Sequence, residues 1–255
     1  MSIAAPLINA HGLRKVFNHT TAVAGVDLDV FGGEIFGFLG PNGAGKTTTI
    51  KMLIGLLRPT EGSVAIGGYD LQRQPLHAKA LIGYVPDQPY LPDKLTAREF
   101  LQFIGGLYRM PAAQIRTRGE ELLKLFDLQD HGDELVGGFS HGMKQKTALA
   151  GALLHDPKIL FLDEPTVGLD PRSARLIKDI LRQLAARGTA VFLTTHILEI
   201  AERLCDRVAI IAGGRVIAAG TLSELRQGST GQSLEDIFLA LTGGAEYAEI
   251  ADVLA

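Results

Sequence analysis

The stretch "GPNGAGKTT" at residues 40–48 constrains this chain more than any other part of it. It fits the pattern G-x-x-x-x-G-K-[S/T], and its surroundings suit that pattern. The apolar run at residues 35–39 reads as a buried strand, while Ile50, Leu53, Ile54 and Leu57 recur at helical spacing until Pro59 forbids continuation. Strand, glycine-rich loop and helix start together make a cradle for phosphate. The glycines let backbone N–H groups curl around a β-phosphate, Lys46 places a point charge between β- and γ-phosphates, and Thr47 offers a hydroxyl to Mg²⁺. The candidate nucleotide-binding residues are therefore Gly40, Pro41, Asn42, Gly43, Ala44, Gly45, Lys46, Thr47 and Thr48.

The flanking pattern sets the fold class. "VDLDVFGGEIFGFLG" alternates Val26, Leu28 and Val30 with Asp27 and Asp29, breaks at Gly32-Gly33 and becomes continuously apolar, as a half-exposed strand turning into a buried one would. "GSVAIGGYD" and "LIGYV" read as further short strands. From about residue 88 to 155 the character is helical, with Thr96 and Glu99 spaced as a capping box and Phe100, Phe103, Ile104 and Leu107 expected on one helix face. Strands and helices then alternate again: "KILFLDEP", a charged, leucine-rich helix at 172–187, "TAVFLTTH", a helix from about 197 to 205, and "RVAIIAGGRVIAAG" with a hairpin at Gly213-Gly214. Such alternation implies an α/β fold with a mainly parallel sheet, here carrying an inserted helical lobe. Near the end, Ser233 and Asp236 are spaced to cap a helix whose Leu234, Ile237, Phe238 and Leu241 should dock on the chain's own surface.

Composition bounds what such a fold does. With 255 residues, 46% of them hydrophobic, a large core is easily built. A formal net charge of -3 gives no bulk attraction to nucleic acid or to an anionic membrane, so no nucleic-acid partner is expected. One cysteine, Cys205, excludes an internal disulfide and reads as a buried structural thiol in a reducing compartment. No run approaches the ~20 apolar residues needed to span a bilayer, so a cytoplasmic location is expected.

Two strand ends and one further helix end carry chemistry. "KILFLDEP" delivers Asp163 toward a Mg²⁺ shell and Glu164 toward an attacking water, where positioning rather than a large pKa shift matters. "TAVFLTTH" ends at His196, a lone strand-end histidine that is structural in many folds but here is suited to a hydrogen bond with a γ-phosphate. "GGFSHGMKQKTALAGALL" opens a second helix at Ser140 and Gly142, and a helix start attracts anions. One nucleotide does not need two such seats from one chain.

In this order the motifs resemble those of the nucleotide-binding subunits of ATP-binding cassette (ABC) transporters, over residues 7 to about 225. The resemblance rests on "GPNGAGKTT", "FSHGM" in place of the family's LSGGQ signature, "ILFLDEP", "GLD" at 168–170 and the switch histidine His196. It implies a P-loop NTPase (RecA-like) core with an N-terminal antiparallel β subdomain and a helical subdomain inserted at about 88–155. The domain would cover residues 1–225, followed by a short helical extension at 226–255. It implies ATP and Mg²⁺ as ligands, catalytic roles for Glu164, His196 and Lys46, and metal ligation by Thr47 and Asp163. Two such domains pair head to tail in the family, so the signature helix of one chain caps the γ-phosphate on the P-loop of the other. Ser140 and Gly142 would act in trans, Asp170 would lie at the dimer seam, and Phe17 would stack on adenine, unless Phe17 is a core aromatic of the first strand.

Two departures stand out. In the signature His141 and Met143 replace glycine and glutamine while the serine and second glycine remain; Asp87 sits where the Q-loop glutamine is expected and Gln88 follows it, leaving both as candidates beside Mg²⁺. A signature of this kind, an acidic Q-loop position and the C-terminal "SLEDIFLALTGG" are similar to the ATPases of bacterial ABC-2 type exporters. That similarity implies a separate integral membrane permease, a second ABC ATPase chain and a place at the cytoplasmic face of the membrane. A soluble ABC ATPase serving as an assembly scaffold is the alternative. A simple P-loop GTPase or kinase would leave FSHGM, GLD and His196 without a task.

Overall fold

Glycine pairs and prolines divide the chain into short elements, and the computed structural model describes them over residues 5–226 and 233–242. The alternating segments form β1 (Ile8–Phe17) and β2 (Thr20–Val30), an antiparallel pair in which Val26, Leu28 and Val30 are buried while Asp27 and Asp29 face outward. After the Gly32-Gly33 turn comes β3 (Ile35–Leu39), buried along its whole length, then α1 (Lys46–Leu53). β4 (Glu61–Ile66) and β5 (Tyr69–Asp70) complete a four-stranded antiparallel sheet in the order β2-β1-β4-β5. α2 (Pro75–Ala80) leads to β6 (Ile82–Val85).

Three helices follow: α3 (Ala97–Leu107), α4 (Ala112–Leu125) and α5 (His141–Leu153). The α/β pattern resumes with β7 (Ile159–Asp163), α6 (Pro171–Ala186), β8 (Ala190–Thr195), α7 (Leu198–Leu204), β9 (Arg207–Ala212), β10 (Arg215–Thr221), the single turn α8 (Leu222–Leu225) and α9 (Leu234–Thr242). A six-stranded sheet runs β10-β9-β3-β8-β7-β6, parallel except for the β9–β10 hairpin at Gly213-Gly214. One face buries Phe36, Phe38, Phe161 and Phe192 against α1 and the antiparallel sheet. Phe192 sits among the other three at centroid separations of 5.4–5.7 Å. The opposite face buries Leu39, Leu160, Leu162, Val191 and Leu193 against α3–α6. This is the P-loop NTPase fold with an antiparallel β subdomain and a helical insertion.

Several local expectations are corrected. α1 stops at Leu53, not at Pro59, because Gly55 turns left-handed (φ 69°) and the Gly55 and Leu56 N–H groups close back on Met52 O and Lys51 O. Residues 88–96 are turn rather than helix, as Pro89 and Pro92 require. The Thr96–Glu99 capping box forms, but α3 buries Ala97, Phe100, Leu101 and Gly105 and leaves Phe103 and Leu107 at 51% and 63% exposure. The inward face lies rotated from the one expected, because packing against both α4 and α5 selects it.

α9 is capped as expected, Ser233 Oγ accepting from Asp236 N at 3.1 Å. It buries Ile237, sets Leu234 into the core on the α3–α6 side of the sheet with Phe238 against it, and packs against α7, while Leu241 stays exposed. The remainder of the C-terminal extension, residues 227–232 and 243–255, lies outside the described residues. Cys205 is buried behind Gly37, and burial pushes its thiol up to about 12, as a structural thiol would have it.

Candidate active site

The site grows from the C-terminal edge of the parallel sheet, where β3, β6, β7 and β8 all end. Gly40 follows β3 directly, and any side chain there would meet Ile211 O at 2.4 Å, so only glycine lets the loop turn this close to the neighbouring strand. Gly45 then adopts φ 107° and opens α1 with no side-chain cap and no acidic residue in the first turn. The first N–H groups of α1 are thus left without side-chain acceptors at the positive end of a helix dipole, which is an anion seat. Lys46 is 8% exposed and donates to Gly40 O at 2.7 Å and Pro41 O at 3.1 Å. Burial pulls its pKa down, while the carboxylates of Glu164 and Asp163 work in the opposite direction.

A cavity of about 380 Å³ unites seven of the expected residues: Asn42, Lys46, Thr47, Asp87, Gln88, Asp163 and Glu164 all line it. Both Q-loop candidates therefore reach the same space. A second, smaller cavity wraps the outer side of the loop from Ala22 to Thr48. Asp163 closes β7 in register with Thr194 of β8. The buried Thr194 hydroxyl donates to Asp163 Oδ1 and receives the Glu164 N–H at 3.3 Å. Thr194 was not singled out from the sequence, where it is simply one of two threonines before His196. Tyr84 also lines the cavity; burial, with the charges of Asp163 and Asp87 beside it, pushes its hydroxyl up to about 12.

Glu164 is the one non-glycine residue of the site in the left-handed region, at φ 51°. That conformation costs about 1–3 kcal/mol in a non-glycine residue. Its side chain is only 13% exposed and meets His196, with Nδ1 to Oε1 at 2.9 Å and the His196 N–H to Oε2 at 3.4 Å. Sequence reasoning gave these two residues separate tasks, whereas the fold pairs them. A histidine that donates Nδ1–H to a carboxylate leaves Nε2 for another partner.

The remaining expected residues stand elsewhere in the chain. Ser140 caps α5 and accepts from Met143 N at 3.3 Å, whereas the His141 and Gly142 N–H groups have no acceptor among the described residues. Neither Ser140 nor Gly142 lines the P-loop cavities. Asp170 caps α6, accepting from Arg172 N and Ser173 N at 3.0 Å each, and the bonds from Ser173 hold its carboxyl below the usual range. Phe17 ends β1 at 45% exposure with the Lys15 ammonium 5.1 Å from its ring centre, which removes the alternative that it is a core aromatic.

The residues present fit Mg²⁺ with a nucleotide. Thr47, in the first turn of α1, and Asp163, Asp87 and Gln88 all offer hard oxygen donors to the cavity that the start of α1 lines. Among the described residues no three His, Cys, Asp or Glu side chains converge as a free-standing metal site, so phosphate oxygens would have to complete the shell. On the far side of Tyr84 and Pro86, which line both spaces, lies a mostly apolar groove of about 390 Å³ reaching Leu56, Leu91 and Tyr90, the last 96% exposed. No described helix is long and apolar enough to cross a membrane.

Comparison with known proteins gives a consistent result. A family model described as ABC transporter matches residues 23–167. The chain is 41% identical over 241 residues, 94% of its length and 76% of the relative's, to a daunorubicin resistance ATP-binding protein, DrrA3, of Streptomyces coeruleorubidus. It is 40% identical over 220 residues, 86% of its length and 89% of the relative's, to the ABC transporter ATP-binding protein NatA of Bacillus subtilis. A solved ATP-binding subunit of an ABC transporter superposes with TM-score 0.88 at 35% identity, over 92% of this chain and 99% of that one. A dimeric ATP-binding cassette in a post-hydrolysis state with ADP and Pi superposes with TM-score 0.78 at 28% identity, over 84% of this chain and 98% of that one.

Proposed function

We propose, from the premise that this chain belongs to the ABC transporter family, that it is an exporter's ATPase subunit, working as a pair of chains beneath a separate integral membrane permease. One observation carries the reading: the P-loop cavity and the signature end of α5 are both built for anions, yet within one chain they do not meet. Two chains placed head to tail would bring Ser140 and Gly142 of each to the P-loop of the other, with Asp170 at the seam. The unbonded N–H groups of His141 and Gly142 would then find their acceptor. Relatives named for drug resistance and for Nod factor export support the outward direction.

Within each composite site the residues divide the work. The α1 N–H groups and Lys46 hold the β- and γ-phosphates, and Phe17 stacks on the base. Thr47 and Asp163, with Gln88 or Asp87, would hold Mg²⁺, which when bound neutralises charge on the phosphate oxygens. Glu164 orients the attacking water and accepts its proton, while His196 fixes the Glu164 carboxylate and turns Nε2 toward the γ-phosphate. The apolar groove beyond Tyr84 and Pro86 receives the permease, so that loop 86–93 feels both partners and the subunit sits at the cytoplasmic face of the membrane.

The test is a pull-down with tagged Glu164→Gln protein from the native host in mild detergent and ATP. The expected outcome is an ATP-dependent pair of chains with a polytopic membrane protein at stoichiometric yield. Recovery of soluble proteins alone, across several detergents, would replace the exporter reading with that of an assembly scaffold.

A further inference from the structure

β6 is the edge strand of the six-stranded sheet, and its backbone faces two ways. Leu81 O, just before it, accepts from Lys158 N and Ile159 N on the β7 side, so the next carbonyl, Ile82 O, points off the open edge. No strand satisfies it. Instead the Tyr108 hydroxyl donates to Ile82 O at 3.0 Å and His155 Nε2 donates to the same oxygen at 3.1 Å. The two rings stack with centroids 3.6 Å apart and planes 12° from parallel.

Since a carbonyl only accepts, the proton of a neutral His155 must sit on Nε2, which leaves Nδ1 buried without a partner among the described residues. An imidazolium would therefore bury an N–H with nothing to receive it.

These contacts sit at a junction. Tyr108 ends α3, and His155 lies two residues beyond α5, whose first turn is the signature at Ser140. α3 and α5 pack so closely that a Cβ on Gly151 would lie 2.8 Å from the Phe100 ring. Thirteen helical residues make α5 a rod of about 20 Å. Holding its far end governs where its signature end points. The strand it is held to, β6, continues through Val85 and Pro86 to Asp87 and Gln88 in the phosphate cavity.

We propose that Tyr108 and His155 are positioning residues for the composite ATPase: they clip the helical lobe to the sheet edge at Ile82 O and thereby aim the signature helix at the partner's nucleotide. This rests on the composite-site reading above. Burial keeps both groups in the required form, raising Tyr108 and lowering His155.

The experiment uses full-length Glu164→Gln protein as the parent, with Tyr108→Phe, which keeps the stacked ring and removes one hydroxyl. Two quantities are measured: the ATP concentration giving half-maximal dimer by sedimentation, and the affinity of the single chain for ADP. Losing one hydrogen bond should raise the ATP midpoint about 3- to 10-fold with ADP affinity unchanged within about twofold. His155→Leu should do the same, and His155→Gln, which restores a donor, should recover part of the loss. Should the parent dimerise and the Tyr108→Phe variant match its ATP midpoint, the clip has no positioning role. Equal losses in ADP affinity and dimerisation would also overturn it, because the defect would then lie in the P-loop. A parent that fails to dimerise at all would instead overturn the composite site, and the clip with it.

Discussion

Replacing Thr194 with valine probes the part of the site that only the fold assembled. Thr194 is fully buried, and its hydroxyl donates to the carboxylate of Asp163, itself 5% exposed. Valine keeps the shape and removes that donor, leaving a buried carboxylate short of one hydrogen bond. A hydrogen bond to a charged group contributes about 1.5–3 kcal/mol. The Glu164 N–H loses Thr194 Oγ1 but keeps Thr194 O at 3.2 Å, so no second group is orphaned. For a chain of this size each kcal/mol moves the melting point by about 2–4 °C, so the variant should melt about 3–12 °C lower in scanning calorimetry with EDTA present. Asp163 would also be freer to leave its cavity-facing rotamer, so the Mg²⁺ concentration for half-maximal ATPase should rise several-fold. A variant with an unchanged melting point and an unchanged Mg²⁺ dependence would refute the view that Thr194 holds Asp163 in place.

Other perturbations separate site from scaffold. Phe17→Ala, at an exposed strand end, should leave the melting point within about 1 °C and raise KM for ATP about 5-fold or more, the loss expected of a base–aromatic stack. Cys205 should not react with a thiol reagent in the folded chain and should titrate as one thiol in denaturant, because burial keeps it protonated. His155 should make stability pH-dependent. Burial, opposed by its bond to Ile82 O and by Asp156, lowers its folded pKa below the ordinary 6.5, so the unfolded chain takes the proton first. Stability is then full above about pH 6.5, falls as pH drops through that value, and levels off once the folded ring also protonates; urea midpoints of His155→Gln should lack this component.

Whatever depends on neighbours in the chain was legible without coordinates. The phosphate loop, the capping boxes at Thr96 and Ser233, the hairpin at Gly213-Gly214 and the buried strands ending at Asp163 and just before His196 are local patterns of glycine, hydrogen-bonding side chains and apolar periodicity. The inward face of α3 was not, because Phe103 and Leu107 are as apolar as the residues that are buried and only the approach of α4 and α5 chose between them. The pairing of Glu164 with His196 and of Asp163 with Thr194 spans more than thirty positions and follows from the register of β7 beside β8, which the crossover helix sets. Two anion-seeking helix starts are written into local residue order, at Gly45-Lys46 and at Ser140. Their separation arises from packing alone, because the P-loop is anchored to β3 inside the sheet while the signature rides on a helical lobe clipped to the sheet's edge.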